Sequence, residues 1–576
     1  MDTLLGARRP HRSRRSARRR RRLLTRTVPL LAIAGLAFAA GFFTATGPTR
    51  AERRLVTRYV TAWRRGDYTT MYGLLDSQSR AHFSPAAFRA AYTNAASTAT
   101  VLSLTIGKVG KPHGNVIKVP VQIRTRIFGT VRGSLAVPFS DSGSGARIHL
   151  DSSLLFPGMR AGERLTRRVS LPPRASLYAR NGVPLATGPD LLSPIPEVAL
   201  QVVGSLGPIP AGERSMFAAE GYPPKADVGV DGLELVFQSQ LAGTPGGTLL
   251  AGDRVLAQST PQPGKPVKTT IDPALEDAEI AAMAGRYAGM VAMNPRNGQL
   301  LAVAGIAFTA PQPPGSTMKI ITSTGALGAG IVKLGSTFPI ETSSTIDGYT
   351  LQNANGEACG GTLLNAFAVS CNSVFAPLGA RLGAARLVAI ADKFGFNGPP
   401  AFPGEAPSTI PSADTIGNSL AVGSSAIGQG MVLATPLEMA IAGATIAMRG
   451  RRPLPTFQLG RPPTFYPVTT PHVAALVQKM MIAVVEYGTG TSAQIPGVVV
   501  AGKTGTAELT DTVTPSNSPG APPANSAQDT DAWFVGYAPV GKPKIVVGAL
   551  FPSQGAGGAT AAPAVQQVLE AALGLG

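Results

Sequence analysis

The sequence predicts a multidomain α+β protein: an N-terminal transmembrane helix, a small α+β domain, an extended pedestal domain, and a large C-terminal domain whose sheet carries helices on both sides. Three observations predict it. At 576 residues the chain is too long for one hydrophobic core and should divide into several. Its apolar periodicity passes from helical to alternating and back, which marks separate packed regions. An uncharged stretch of 19 residues, Val28 to Thr46, lies directly behind a cluster of arginines.

Residues 1–27 form a basic tail, with eleven arginines against one aspartate before residue 27. Half of the formal net charge of +20 is therefore confined to this tail, and the rest is dispersed, which argues against a nucleic-acid partner. As a helix, residues 28–46 span roughly 28 Å, about the thickness of a bilayer core. Arginines on the N-terminal side predict the tail in the cytoplasm and the chain beyond residue 47 outside. A cleaved signal peptide is the rival reading; the length of the run and the lack of an A-x-A site favour a single-pass anchor.

Residues 50–157 follow as the small domain. Leu55, Tyr59, Trp63, Met71, Leu74 and Leu75 recur at helical spacing about a break at Gly66-Asp67, and Phe83, Phe88 and Tyr92 extend the helical pattern. From Val101 to Phe156 the pattern alternates, as in Ile117-Lys118-Val119-Pro120-Val121, so a curved antiparallel sheet follows the helices. Asp67 and Asp76 read as cap or surface residues rather than an acid/base pair. Residues 158–264 are rich in glycine and proline, with strand-like pieces such as Arg167 to Leu171, and predict a linker domain that lifts the next one from the membrane.

Residues 265–576 make the C-terminal domain. Lys268 to Pro273 reads as a strand, an N-cap aspartate and a helix through Met283. Strands flank the turn Asn294 to Gly298, and alanine-rich helices come next. Late strands at Val498–Val500 and Trp533–Tyr537 precede a closing helix from Ala562 to Leu573. Leu509 to Asp531 is too polar to pack and predicts a mobile loop, either a lid or a tolerated insertion. Cys359 and Cys371 are the only cysteines, and either a disulfide or two buried thiols fits them. The five histidines show no ligand spacing, so no metal and no other cofactor is expected.

The chemistry lies in this last domain. Ser316-Thr317-Met318-Lys319, the only S-x-x-K, follows Pro314-Gly315 where a helix should begin. Serine and lysine three apart on a helix share a face, which sets an amine beside a hydroxyl that is otherwise a poor nucleophile. Lys319 takes that proton only when neutral, so burial and a second cation, Lys503, must depress its pKa. Ser370-Cys371-Asn372 and Lys503-Thr504-Gly505-Thr506 come downstream. Alone each triplet is weak; in this order after an export signal they match the pattern of penicillin-recognising serine enzymes.

With the surrounding Phe367-Ala368-Val369, Ile427-Gly428-Gln429-Gly430, Ala434-Thr435-Pro436 and Ala532 to Pro539, the region resembles the transpeptidase domain of class B penicillin-binding proteins. Gly232-Leu233-Glu234 and Leu241 to Gly246 resemble the pedestal junction of that class, and the small domain is similar to the NTF2-like domain of penicillin-binding proteins related to the methicillin-resistance type. The resemblance implies Ser316 as nucleophile and Lys319 as base, with Ser370 shuttling a proton to the leaving nitrogen and Asn372 holding the lysine and the substrate peptide. It also implies that Lys503, Thr504 and Thr506 receive a terminal carboxylate on an edge strand, that Gly505 leaves room for substrate, and that the Ser316 and Thr506 N–H groups form the oxyanion hole. Cys371 should point away.

The expected reaction is cross-linking of peptidoglycan stem peptides ending in D-Ala-D-Ala, with β-lactam antibiotics as acylating inhibitors. A carboxypeptidase, a β-lactamase and a membrane β-lactam sensor share the same acyl-enzyme. Glu405, Glu438 and Glu486 lack the neighbours of a deacylating glutamate, and two domains before the catalytic one suit work on a polymer away from the bilayer. No paired Glu-Asp motif for glycosyl transfer precedes residue 265, so polymerisation is expected from a separate glycosyltransferase.

Overall fold

A computed structural model describes residues 48–142, 145–508 and 529–575. The basic tail and the apolar segment 28–46 lie outside them. Among the described residues no single helix is long and apolar enough to cross a membrane. The chain forms two compact units, and the segment expected as a separate pedestal is shared between them: 158–173, 208–227 and 242–264 belong with the N-terminal unit, while 174–207 and 228–241 belong with the C-terminal one. Each piece packs where its apolar residues find a core, as Leu249 and Ala251 do among the N-terminal helices and strands.

In the N-terminal unit, helices Pro48–Arg65, Tyr68–Gly73, Ser77–His82 and Pro85–Thr98 precede an antiparallel sheet ordered Val101–Ile106, Val116–Thr125, Thr130–Ser142, Gly145–Ile148. The short helices begin at polar caps: Asp67 accepts from the Thr70 amide at 2.9 Å and Asp76 from Ser79 at 2.7 Å. Ile117, Val119, Val121 and Ile123 face the core and the residues between them face solvent. The buried Tyr59 and Tyr92 hydroxyls share a 2.6 Å hydrogen bond, so neither is stranded.

The C-terminal unit is built on five antiparallel strands. In chain order the main elements are α1 (Pro273–Met283), β1 (Gly289–Asn294), β2 (Gln299–Gly305), α2 (Lys319–Gly328), α3 (Leu363–Ala368), α4 (Asn372–Leu382), α5 (Pro436–Ala447), α6 (Pro471–Glu486), β3 (Ala501–Glu508), β4 (Thr530–Ala538), β5 (Ile545–Phe551) and α7 (Ala561–Leu573). The strand order is β2-β1-β5-β4-β3, which leaves β3 on an edge. Trp533, Val535 and Tyr537 of β4 face one core with α5 and α6, while Ala532, Phe534 and Ala538 face the other with α1 and α7. This alternation places helices on both sides. Asp272, Thr435 and Thr470 each cap a helix whose next residue is proline, so the starts of α1, α5 and α6 are written locally.

Three details differ from the sequence reading. Strand β3 starts at Ala501 rather than Val498, and β4 already includes Thr530 and Asp531, paired with Glu508 and Ala507; the rest of the polar loop, 509–528, lies outside the described residues. Residues 337–362 form two small two-stranded sheets that the Ser-, Thr- and Gly-rich sequence did not announce. Ser316 stands in a 3₁₀ turn, Gly315–Met318, and the α-helix begins at Lys319.

Glu276 of α1 is fully buried and accepts the Val303 amide at 2.8 Å. Burial pushes its pKa up to about 8. The folded state then binds more protons than the unfolded state between the ordinary glutamate value and about 8, so stability falls as pH rises through that window. Glu276→Gln keeps an acceptor for Val303 and removes the linkage. Its melting temperature should match the wild type near pH 5 and exceed it at pH 9, as read by thermal unfolding at both values.

Candidate active site

The three motifs converge around the Ser370 hydroxyl. Helix α2 brings Lys319, the turn between α3 and α4 brings Ser370 and Asn372, and edge strand β3 brings Lys503. Lys503 Nζ donates to Ser370 Oγ at 2.8 Å and to its neighbour Thr504 O at 3.1 Å. Lys319 Nζ donates to Ser370 O at 2.6 Å and Asn372 Oδ1 at 2.7 Å, and lies 3.4 Å from Ser370 Oγ. Ser370 takes a φ of +62°, in the left-handed region, which lets its carbonyl and hydroxyl face the two amines together.

Both lysines have 0% exposure. Their ammonium ends sit over aromatic rings, Lys319 at 5.5 Å from the Phe375 centroid and Lys503 at 5.4 Å from Phe367. Loss of water pushes Lys319 well below the ordinary lysine value, and the Lys503 charge beside it adds to the push. Burial alone brings Lys503 down to about 7. A neutral Lys319 has two N–H bonds, which the Ser370 and Asn372 carbonyl oxygens accept, and keeps a lone pair for a proton. Ser370 Oγ accepts from Lys503, so its own proton is free to be given away.

Ser316 is half-buried, in the turn that leads into α2 and packs against β3. Its turn is fixed by backbone: the Gly315 amide donates to Gly428 O at 2.9 Å, and Thr317 Oγ1 donates to Pro314 O at 2.7 Å. Gly315 has a φ of +52°, and a Cβ there would lie 2.8 Å from Thr506 O. The serine turn and the Lys503 strand are therefore in direct contact. A Cβ on Gly505 would meet Pro314 O and Trp533 Cβ at 2.8 Å and Thr317 Cγ2 at 3.0 Å, so its missing side chain makes room for the serine turn.

Thr504 and Thr506 stand on the same edge strand. Thr489 was not foreseen: its hydroxyl bonds that of Thr504, and its amide donates to Ala368 O at 3.1 Å, linking β3 to α3. The only signal in sequence was a Gly-Thr-Gly between a helix and the Lys503 motif. Cys371, buried, is bridged to Cys359, with a Cα separation of 5.8 Å. Its side chain thus leaves the cleft between two neighbours that enter it.

The family model described as penicillin binding protein transpeptidase domain matches residues 288–570, the penicillin-binding protein dimerisation domain matches 193–269, and the NTF2-like N-terminal transpeptidase domain matches 51–163. The chain belongs to the class B penicillin-binding proteins. The peptidoglycan D,D-transpeptidase PbpA of Mycobacterium tuberculosis is 35% identical to it over 298 residues, 46% of this chain and 56% of that protein. MrdA of Acinetobacter baumannii, also a peptidoglycan D,D-transpeptidase, is 25% identical over 70% of this chain and 66% of its own. This penicillin-binding protein thus spans a little over half the length of PbpA and just under two thirds of MrdA. Among solved structures, PBP2 of Pseudomonas aeruginosa superposes with a TM-score of 0.59 at 25% identity over 71% of this chain and 96% of its own. An imipenem acyl-enzyme of penicillin-binding protein A from M. tuberculosis superposes at 0.55 and 26% identity, covering 70% and 99%.

The Gly505 contact is open to test. Gly505→Ala should displace the serine turn from β3 and slow labelling by a fluorescent penicillin about 100-fold, the scale of a 1 Å misplacement. Its circular dichroism should match the wild type, because the strand pairing from Ala501 to Glu508 is kept.

Proposed function

We propose that the protein is a serine peptidoglycan D,D-transpeptidase that cross-links stem peptides ending in D-Ala-D-Ala and is acylated by β-lactams. One observation carries the reading: a single hydroxyl, Ser370 Oγ, lies between two fully buried lysine amines, one of them Lys319 at the end of the turn that carries Ser316. That is a proton path with a nucleophile at its end, and the relatives named as D,D-transpeptidases support its direction.

Ser316 Oγ attacks the carbonyl of the penultimate D-alanine while its proton passes to the Lys319 lone pair. The Ser316 and Thr506 amides receive the oxyanion, and the α2 helix start adds its positive end. Collapse breaks the C–N bond to the terminal D-alanine, whose nitrogen takes a proton relayed from Lys319 through Ser370. The resulting ester is attacked by an amine of a neighbouring strand; the same relay accepts the amine's proton and returns one to Ser316. With a β-lactam the leaving nitrogen stays tethered to the acyl group. Lys503, Thr504 and Thr506 hold the terminal carboxylate, and Asn372 the peptide. The same reading places residues 28–46 in the cell membrane as a single-pass anchor, with the catalytic domain outside, and assigns glycan polymerisation to a separate glycosyltransferase.

Ser316→Ala should abolish labelling of intact membranes by a fluorescent penicillin. With a stem-peptide donor and an amine acceptor, the wild type should yield cross-linked product; release of D-alanine by hydrolysis alone would point to a carboxypeptidase. The pH profile follows from the direction of the Lys319 shift. The base is active when deprotonated and its pKa is depressed, so the acylation rate should fall as pH drops through that depressed value and already be level before the ordinary lysine range is reached. A rate that still rises tenfold per unit between pH 9 and 10 would mean an ordinary lysine.

A further inference from the structure

The turn that carries Ser370 and Asn372 is held by a segment with no chemistry of its own. Asn353 follows the strand Tyr349–Gln352 and is 5% exposed. Its polar atoms are all engaged. Nδ2 donates to Glu341 O at 2.8 Å and Glu357 O at 2.9 Å and reaches Ser373 Oγ at 3.1 Å; Oδ1 accepts from the Ser373 amide at 2.7 Å. An aspartate lacks the donors for two carbonyls, and an alanine lacks everything.

The Ser373 amide belongs to the first turn of α4, where backbone donors have no partner inside the helix. The cap residue is Cys371, which gives α4 no side-chain cap because its sulfur is bridged to Cys359. Asn353 supplies that cap from another part of the chain. Its neighbour Gln352 completes the hold: Gln352 O accepts from Asn372 Nδ2 at 3.3 Å, which fixes the amide with Oδ1 towards Lys319 Nζ at 2.7 Å. A reversed amide would set N–H against the amine.

We propose that Asn353 is a positioning residue for the acyl-transfer reaction: it anchors the start of α4 and the Gln352 carbonyl so that Asn372 presents its oxygen, rather than its nitrogen, to Lys319. This rests on the Ser316 acyl-enzyme reading above. Without Asn353 the amide is free to turn, Lys319 loses a fixed acceptor, and both the rate and its dependence on pH change.

The test is stopped-flow acylation of the full-length protein in detergent by a saturating fluorescent penicillin, followed from pH 5 to 10. Asn353→Ala should lower the first-order acylation constant about tenfold or more and displace the midpoint of the pH profile. Asn353→Asp, which keeps the acceptor for Ser373 N–H but not the donors, should fall between it and the wild type. Ser373→Ala, which keeps that N–H, should stay within about twofold of the wild-type rate. An Asn353→Ala protein with the wild-type rate and profile, or one slowed only by its unfolded fraction with the profile unmoved, overturns the proposal. Should Asn353→Ala fail to fold, Asn353→Asp decides: a wild-type rate and profile there overturns it equally. A wild type that takes no label would sink the acyl-enzyme reading instead.

Discussion

The Ser370 hydroxyl, shared by two amines that no water reaches, is the interaction on which the site depends. Lysines are seldom fully buried, and a buried ammonium without a carboxylate carries a large desolvation cost. Among the described residues that cost is met without an acidic partner, by carbonyl oxygens, an amide oxygen, a hydroxyl and two aromatic faces. These weak acceptors leave the amines easy to discharge. A carboxylate in their place would hold Lys319 charged and useless as a base. With two amines on one hydroxyl, a second positive charge is disfavoured by the first, so the site regulates its own protonation.

The architecture serves that cluster by bringing three remote segments to one point. An edge strand contributes Lys503, a helix contributes Lys319, and a left-handed turn between two helices contributes Ser370. The pieces meet through main chain as much as through side chains. Thr506 O and Gly428 O flank the Gly315 turn, and Ala368 O receives the Thr489 amide. Disulfide, cap and hairpin contacts gather on the Ser370 side, which has the least regular secondary structure to steady it.

Much of this was legible in the sequence because it is written locally. Ser316, Lys319, Ser370, Asn372 and Lys503 announce themselves by short spacing and order, and Asp272, Thr435 and Thr470 mark helix starts through cap chemistry. Asn353 and Thr489 were not legible. Their parts arise from contacts with Ser373 and Thr504, 20 and 15 residues away, and a lone Asn or Thr in a polar stretch has no local signature. At Gly505 an invitation to close approach is visible in the glycine, but its contact with the serine turn is not. The division of residues 158–264 between the two compact units was not legible either. Glycine- and proline-rich composition reports extended chain, and only the cores at either end decide which piece joins which.

The floor of the cleft is crowded with backbone. A methyl on Gly315 would press on Thr506 O, one on Gly428 would lie 2.0 Å from Gly315 O, and one on Gly505 would strike Pro314. The rim differs, since Ile340 and Tyr349 stand 72% and 50% exposed on the hairpins beside the Ser370 turn. Sequence drift therefore has few tolerable steps available on the floor, where each added carbon collides with main chain, and many more along these exposed hairpins, where side chains can be exchanged without pressing on backbone.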